Sequence, residues 1–203
     1  MLTLNQARLE LAALLRQKSI SHGDFTLASG AKSNYYIDCR LTTLDGQGAR
    51  LVGQLVHAAI RQEEANRQVS VAAVGGLTMG ADPVALATAM HSAGMKDPIP
   101  LQAFSVRKTP KGHGQGRQVE GNFRAGDVVA VVDDVITRGD STLAAIEAVL
   151  REGGKVAMVV ALVDRQEGGR AKIEGLGYPF VSVFTRDELV ANPAQGRPAT
   201  VAH

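Results

Sequence analysis

Cysteine, tryptophan and long apolar runs are scarce in this chain of 203 residues. Its single cysteine, Cys39, excludes an intrachain disulfide framework, and we expect it to pack inside a protein of a reducing compartment. The longest uninterrupted apolar run, 156–163, is too short to cross a bilayer as a helix. Residues 1–18 lack the apolar stretch that is typical of a signal peptide. We therefore expect a soluble cytoplasmic protein without a membrane contact, with one domain over 1–203 and a sizeable core.

The aromatic residues and the charges argue against nucleic acid as a partner. There is no tryptophan, and three tyrosines and five phenylalanines provide few rings for stacking on bases. The formal net charge is +2, but 105–117 carries Arg107, Lys108, Lys111 and Arg117 and no acid. Without these four positive charges the rest of the chain sums to −2. A local basic loop on a slightly acidic body suits a small polyanion better than a nucleic acid.

The spacing of apolar residues predicts alternating helices and strands. Thr3 and Gln6 form a capping box ahead of the first helix. Further helices are predicted over 48–64, from an N-cap at Asp82 to about 92, and from about 143 to a stop at Gly153-Gly154. Strands are predicted over 35–39, 69–74, 101–106, 128–132, 155–163 and 180–184, with loops over 75–82 and 108–122. This alternation is typical of an α/β fold with a parallel sheet that helices cover on both faces.

The most informative stretch is 128–141. Its apolar run ends in Asp133 and Asp134, and a turn of Thr, Arg, Gly, Asp and Ser then opens a helix. Ligands of open α/β sheets bind beyond the carboxyl ends of the strands, where these residues fall. Backbone N–H groups of such a turn can hold a phosphate, and paired carboxylates suit sugar hydroxyls or magnesium. The pattern therefore predicts a site for a phosphorylated sugar; the alternative is that the acids only cap the helix at Ser141.

This stretch resembles the ribose-5-phosphate loop of type I phosphoribosyltransferases. Three further segments resemble the orotate phosphoribosyltransferase family within them: 25–38 (FTLASGAKSNYYID), 106–114 (VRKTPKGHG) and 162–169 (LVDRQEGG). The motifs occur in the family's order and span about residues 20–190, which makes the resemblance specific. It implies the type I phosphoribosyltransferase fold, a central parallel sheet flanked by helices. Residues 1–40 would contribute a small hood over the base site.

The resemblance implies transfer of ribose 5-phosphate from phosphoribosyl pyrophosphate to N1 of orotate, in pyrimidine biosynthesis. The residues that it implies in catalysis are Lys111, His113, Asp133 and Asp134. Those implied in binding phosphoribosyl pyrophosphate are Arg107, Lys108, Lys111, His113, Asp133, Asp134, Val135, Ile136, Thr137, Arg138, Gly139, Asp140 and Ser141. Those implied in binding orotate are Tyr35, Tyr36, Thr137 and Arg165. The guanidinium of Arg165 suits the orotate carboxylate, and a surface ion pair with Asp164 or Glu167 is its alternative.

The resemblance also implies a cofactor and a partner. Mg²⁺ is expected, held mainly by substrate oxygens rather than by a set of protein ligands. Family members are homodimers, so the loop 107–117 is expected to reach the neighbouring subunit's site. Residues 190–203, without a periodic pattern, are expected to form a mobile tail.

Several positions depart from the family pattern. Ala28 and Met79 stand where the family often has lysine, and Arg138 and Asp140 stand where small residues are usual. An acid beside a phosphate is unfavourable unless it points away or pairs locally, and Asp140 is expected to cap the helix while Arg138 offsets its charge. Two other functions remain open. They are transfer to another base, such as a purine or uracil, and a regulator that binds phosphoribosyl pyrophosphate without catalysis.

Overall fold

The computed structural model describes residues 2–26, 32–95, 97–109 and 117–190, together with the backbone of Arg197–Pro198. The capping box of Thr3 and Gln6 is confirmed at the start of the first helix. The helices are α1 (Leu4–Leu14, continued by a π-helical turn over Leu15–Ser19), α2 (Arg40–Thr43), α3 (Gly46–Arg67), α4 (Ala81–Gly94), α5 (Asp140–Arg151), α6 (Gly169–Gly175) and α7 (Arg186–Val190). Within these described residues, no helix combines the length and apolarity needed to span a membrane.

A six-stranded sheet forms the centre of the fold, as the alternation of elements predicts. Its strands are β3 (Ala73–Leu77), β4 (Gln102–Val106), β5 (Val119–Gly121), β6 (Val128–Ile136), β7 (Lys155–Asp164) and β8 (Phe180–Thr185). They lie in the order β5-β4-β3-β6-β7-β8, and every pair is parallel except β4 with β5. The strand order therefore reverses between β3 and β6, which is where ligands bind in open α/β sheets.

Helices cover both faces of this sheet, because successive residues of a buried strand point to opposite sides. On β6, Ala130 and Val132 belong to one buried cluster, together with residues of α1, α3 and α4. Val129 and Val131 belong to the other cluster, together with residues of α5 and α6. The expected doubly covered parallel sheet is confirmed.

A second, three-stranded sheet is built from the N-terminal region. Strands β1 (Ile20–Thr26) and β2 (Lys32–Ile37) are antiparallel, with Ile20 opposite Ile37, and β9 (Arg197–Pro198) runs parallel to β1. The sequence pattern predicts β2 over 35–39 and does not predict β1. Apart from Val190 and the backbone of β9, the tail expected over 190–203 lies outside the described residues.

Two predicted boundaries around β3 are wrong: the end of the strand and the start of the next helix. The glycines that predict a loop instead allow close packing of β3 between its neighbours. Gly75 and Gly76 lie within β3, not after it, and a Cβ on either would lie 2.2 Å from Phe104 O or 2.1 Å from Val132 O. Close contact with both neighbouring strands requires their missing side chains. Helix α4 is capped by Gly80, so Asp82 lies in its first turn and is not the N-cap.

The acidic pair also lies differently from the prediction. The sequence pattern predicts a strand over 128–132 that ends at the acids, whereas β6 continues through Ile136, so Asp133 and Asp134 lie within the strand. The polar stretch 108–122, predicted as loop, contains β5. Within α5, Ile146 and Val149 are buried, whereas Leu150 is 45% exposed. These boundaries follow from tertiary pairing, which local patterns do not encode.

Candidate active site

A cavity of about 400 Å³ opens at the carboxyl end of β6, beside the point where the strand order reverses. It brings together residues that the sequence separates by more than a hundred positions. Its lining is Tyr36, Asp133, Val135, Ile136, Thr137, Arg138, Gly139, Asp140, Ser141, Thr142, Arg165 and Glu167. Most residues that the resemblance implies in binding the ribose phosphate and orotate therefore share one cavity.

The floor of the cavity is acidic. Asp133 is 7% exposed, and its carboxylate accepts hydrogen bonds from the Asp134 backbone N–H (3.1 Å) and from Thr142 Oγ1 (3.2 Å). Burial raises the pKa of Asp133 to about 8, and the neighbouring charge of Asp134 adds to this rise. Burial also raises the pKa of Asp134, which is half-buried. Two carboxyl groups held together in this way favour a ligand that brings hydroxyl donors or positive charge.

The structure does not support the capping alternative for these acids. The N-cap of α5 is Gly139 (φ +80°), and the described residues place no side-chain cap on this helix end. Asp133 contacts the first turn only through the Thr142 hydroxyl. A helix leaves the N–H groups of its first turn without intrahelical acceptors. The first-turn N–H groups of α5 therefore face the cavity and suit an anion.

The loop between β3 and α4 packs directly on the acidic pair. A Cβ on Gly80 would lie 2.3 Å from Asp134 Oδ1, so a larger residue here would displace the Asp134 carboxylate. Asp82 holds the loop, because its carboxylate accepts hydrogen bonds from Thr78 Oγ1 (2.6 Å) and Ser105 Oγ (2.7 Å). The sequence pattern assigned Asp82 to a helix cap and so missed this link to β4.

Arg165 forms the opposite wall of the cavity and is 7% exposed. Its Nη2 lies 2.9 Å from Glu167 Oε1, and its Cζ lies 5.5 Å from the centre of the Tyr35 ring. Its Nε is buried and has no hydrogen-bond partner among the described residues. Asp164 pairs with Arg170 instead (3.0 Å). The alternative ion pair with Glu167 therefore forms, but the arginine is buried rather than at the surface, and its Nε is not used by the described residues.

The two tyrosines have different positions. Tyr36 lines the cavity and is 42% exposed, whereas Tyr35 packs against the buried cluster and under Arg165. The resemblance implies both beside the base, with core packing as an equal explanation for one of them. The structure leaves Tyr36 available for that contact and makes Tyr35 a support for Arg165.

Asp140 does not cap its helix in the expected way. It is the first residue of α5, and its Oδ1 lies 2.6 Å from Lys172 Nζ on α6. This hydrogen bond lowers the pKa of the Asp140 carboxyl, and Arg138 contributes a smaller effect in the same direction. The sequence allows Asp140 to point away, to cap the helix or to pair locally, and the structure shows local pairing, with Lys172. The partner Lys172 carries no motif, and no sequence signal identified it.

Two of the basic residues implied in binding the leaving group, Arg107 and Lys108, are not among the residues that line the cavity. Arg107 is exposed, with its Nη1 3.9 Å from Glu120 Oε1, and Lys108 is exposed. Lys111 and His113 lie outside the described residues. The two ends of this loop are nevertheless joined, since Arg107 N donates to Gln118 O (2.9 Å) and Gln118 Nε2 donates to Arg107 O (2.7 Å).

The described residues contain no group of three or more His, Cys, Asp and Glu side chains suited to a metal ion. His57 serves elsewhere, because its Nε2 lies 2.7 Å from Asp97 Oδ2 between α3 and the segment that follows α4. Asp133, which lines the cavity, and the adjacent Asp134 offer Mg²⁺ carboxylate oxygens. Oxygen donors are those that this hard cation prefers, so the residues present fit magnesium held jointly with a ligand.

Comparison with known proteins found no matching family model. The chain is 42% identical to the orotate phosphoribosyltransferase of Aquifex aeolicus over 186 residues, which cover 90% of this chain and 97% of the relative. It is 44% identical to that of Rhodopirellula baltica over 183 residues, which cover 90% of this chain and 94% of the relative.

Comparison with solved structures finds the same kind of enzyme as the sequence comparison. The orotate phosphoribosyltransferase of Mycobacterium tuberculosis H37Rv in complex with 5-phospho-α-D-ribosyl 1-diphosphate is 38% identical, with a TM-score of 0.72 over 90% of this chain and 98% of that chain. The same enzyme with Fe(III) dicitrate has a TM-score of 0.77 at 40% identity, over 91% and 99% of the two chains. The adenine phosphoribosyltransferase of Leishmania donovani, at 14% identity and a TM-score of 0.62 over 95% and 86%, shares the fold alone. On these similarities and on the site described above, the chain belongs to the orotate phosphoribosyltransferase family.

Proposed function

We propose that this protein is a magnesium-dependent orotate phosphoribosyltransferase of de novo pyrimidine biosynthesis. It transfers ribose 5-phosphate from phosphoribosyl pyrophosphate to N1 of orotate and gives orotidine 5'-monophosphate and pyrophosphate. The observation that carries the proposal is the cavity that joins the turn Thr137–Ser141 and the buried Asp133 to the buried Arg165. The reaction needs the 5-phosphate held, the base placed against C1 and the departing pyrophosphate stabilised.

The 5-phosphate binds at Thr137–Ser141. The backbone N–H groups of the turn and of the first turn of α5 would donate to it, with the hydroxyls of Thr137 and Ser141. Gly139 takes a positive φ that L side chains rarely adopt, and this aims the turn at the cavity. Val135 and Ile136 would contribute the backbone that leads into the turn.

The ribose lies over the acidic floor. Asp133 and Asp134 would accept hydrogen bonds from its 2- and 3-hydroxyls, which places C1 towards the base. The same carboxylates would orient magnesium, which substrate oxygens hold for the most part. When bound, magnesium supplies positive charge that stabilises the departing pyrophosphate.

Orotate binds at the other end of the cavity. Its carboxylate would accept from the guanidinium of Arg165, whose Nε is free of protein partners within the described part of the chain. Tyr36 and Thr137 line the cavity beside it, and Tyr35 holds the guanidinium from below. An arginine that binds a carboxylate at this position favours orotate over uracil or a purine, because uracil and the purines have no carboxylate to pair with the buried cation.

The leaving pyrophosphate is stabilised by Arg107, Lys108, Lys111 and His113. Their charges and hydrogen bonds strengthen as negative charge develops on the departing group, which lowers the barrier rather than the ground state. The described ends of this loop support such a role, because Glu152 Oε1 accepts from both Gln118 N (2.6 Å) and Val119 N (2.9 Å) and so fixes the loop base to the end of α5.

The proposal extends to the assembly of the protein. We infer a single domain in which residues 1–40 form a hood over the base site, since β2 carries Tyr35 and Tyr36 to Arg165. We infer a homodimer, because Leu41, Leu44, Met79, Leu86 and Met90 are each more than half exposed. Cytoplasmic location is supported by the buried free thiol of Cys39.

Loss of orotate absorbance on addition of phosphoribosyl pyrophosphate and magnesium tests the reaction, with uracil, hypoxanthine and adenine as parallel acceptors. Turnover of orotate alone is expected. Turnover of another base would contradict the proposal that Arg165 selects orotate by binding its carboxylate. Binding of phosphoribosyl pyrophosphate without turnover of any base would favour the regulatory function, which the absence of family lysines at Ala28 and Met79 would then explain.

Mixing two inactive variants tests the homodimer and the reach of its loop. Lys111→Ala removes a loop residue, and Asp133→Asn with Asp134→Asn removes the acidic pair, so each homodimer lacks most of its activity. If the loop acts in the neighbouring site, a heterodimer of the two regains one intact site. Recovery of activity after mixing and reassembly is expected; a monomer by light scattering, or no recovery from a demonstrated heterodimer, would contradict the proposal.

A further inference from the structure

Helix α6 packs directly on the turn that is proposed to hold the 5-phosphate. Gly169 N donates to Thr137 O (3.0 Å), and a Cβ on Gly139 would lie 3.3 Å from Ile173 Cδ1. This contact places Lys172, one turn along α6, over the start of α5. Its Nζ lies 2.6 Å from Asp140 Oδ1. A lysine outside every motif is therefore fixed beside the phosphate turn.

Asp140 creates an electrostatic problem for that turn. Its side chain starts from the first residue of α5 and lines the cavity, where the open N–H groups of the helix attract any anion. An unpaired carboxylate there would repel a phosphate ester, which carries up to two negative charges at neutral pH. It would also compete with the phosphate for the same N–H donors.

We propose that Lys172 sets the affinity of this turn for the 5-phosphate by holding the carboxylate of Asp140 against α6 and cancelling its charge. The proposal rests on the proposed function of Thr137–Ser141 and assigns Lys172 as a positioning residue. The segment from Arg165 to Lys172 then places cations at both ends of the substrate. Arg165 is buried at the base end, and Lys172 acts through Asp140 at the phosphate end.

The contribution of this ion pair is to ligand binding rather than to the stability of the fold. Both side chains are largely exposed, 47% for Lys172 and 69% for Asp140, and such pairs stabilise folded proteins little. The same charges lie within a few ångströms of the phosphate turn, where a multiply charged ligand experiences them directly. Loss of Lys172 is therefore expected to weaken binding and to leave the melting temperature nearly unchanged.

Calorimetric titration with ribose 5-phosphate tests the proposal in Lys172→Ala, Asp140→Asn and the double variant. Lys172→Ala is expected to weaken binding about three- to tenfold, since it frees the carboxylate. Asp140→Asn is expected to bind at least as tightly as the wild type, and the double variant to match Asp140→Asn. Arg67→Ala is the matched control, because Arg67 is also 47% exposed and pairs with Glu63 on α3. Arg67→Ala should leave the affinity for ribose 5-phosphate unchanged.

Steady-state kinetics supplies a second readout. Lys172→Ala should raise the KM for phosphoribosyl pyrophosphate, while kcat and the KM for orotate stay at their wild-type values. Equal binding of ribose 5-phosphate by Lys172→Ala and Arg67→Ala would overturn the proposal, as would a double variant as weak as Lys172→Ala. A wild type that binds ribose 5-phosphate but does not convert orotate would overturn the proposed reaction alone, because the calorimetric comparison does not depend on turnover.

Discussion

Two neighbouring strands lead to buried ionisable side chains, and the surroundings of the two side chains differ in their effect on charge. At the end of β6, Asp133 lies beside a second acid, and burial raises its pKa to about 8. Just beyond β7, Arg165 lies beside Glu167 and over the Tyr35 ring, so a counter-charge and an aromatic face offset its burial. The acidic end therefore gains most from a ligand that brings hydroxyls or magnesium. The arginine end is already arranged for its ligand before binding.

Removing the acids tests the first half of this comparison and should have the largest effect. In Asp133→Asn with Asp134→Asn, the floor loses the acceptors that orient the ribose, so turnover should fall by at least about 10³-fold. Initial rates of orotate consumption measure this. Asp127→Asn, at the other end of β6, is the matched control and should retain activity. A double variant with near-wild-type turnover would exclude the acids from the reaction.

Replacing Arg165 tests the other side of this comparison, the arginine end of the cavity. Arg165→Ala should raise the KM for orotate about 10- to 100-fold, since charge-assisted hydrogen bonds of about 1.5–3 kcal/mol are lost. Arg165→Lys should recover part of this loss, because lysine keeps the charge without the planar fork. Arg170→Ala is the control, since Arg170 also pairs with an acid and stacks on a ring, that of Phe180. It should lower stability and leave the orotate KM unchanged; an equal rise in both variants would remove Arg165 from the base site.

The sequence predicts the chemistry of this site better than its geometry. The alternation of elements and the Asp-Asp turn motif are local patterns, so they locate the sheet and the residues at its carboxyl edge. The extension of β6 through the acids depends on pairing with β7, and the burial of Gly75 and Gly76 depends on contact with two other strands. Neither is encoded in the local pattern.

The residues that sequence reasoning misses share one property: each acts through a partner far along the chain. Asp82 accepts from Ser105 on β4, and Lys172 donates to Asp140 on α5. Such pairs carry no spacing signal, because they form only when separate elements pack together. Glu167 is the alternative partner that the sequence offers Arg165, and the structure confirms the pair. The sequence predicts this pair at the surface, whereas the arginine is buried.

The unfavourable burial of the acids should be visible as pH dependence of stability. In the unfolded chain Asp133 ionises above its ordinary pKa of 3.8, whereas in the folded protein it stays protonated until about pH 8. The folded state therefore binds more protons in this window, and the free energy of unfolding should fall as pH rises from 5 to 8. Relative to the variant with both acids replaced by Asn, the wild type should lose about 1–3 kcal/mol over this range.

Urea unfolding at pH 5, 6.5 and 8 measures this difference. Other titrating groups are common to both proteins; His91, for instance, has a pKa that burial lowers, and its contribution cancels in the comparison. The double variant should equal or exceed the wild type in stability at pH 8. A difference that is independent of pH, or that favours the wild type as pH rises, would mean that the acids are ionised in the folded state.

The smallest expected effect separates burial from hydrogen bonding at the acidic end. Thr142 Oγ1 donates to Asp133 Oδ2, and this bond opposes the rise in the pKa of Asp133. Thr142→Val keeps the shape and removes the donor, so it should raise that pKa further and raise the KM for phosphoribosyl pyrophosphate about two- to fivefold. Thr88→Val is the matched control, because the Thr88 hydroxyl donates only to Val84 O within α4. If both variants behave alike, Thr142 only fills space, and burial alone determines the ionisation of Asp133.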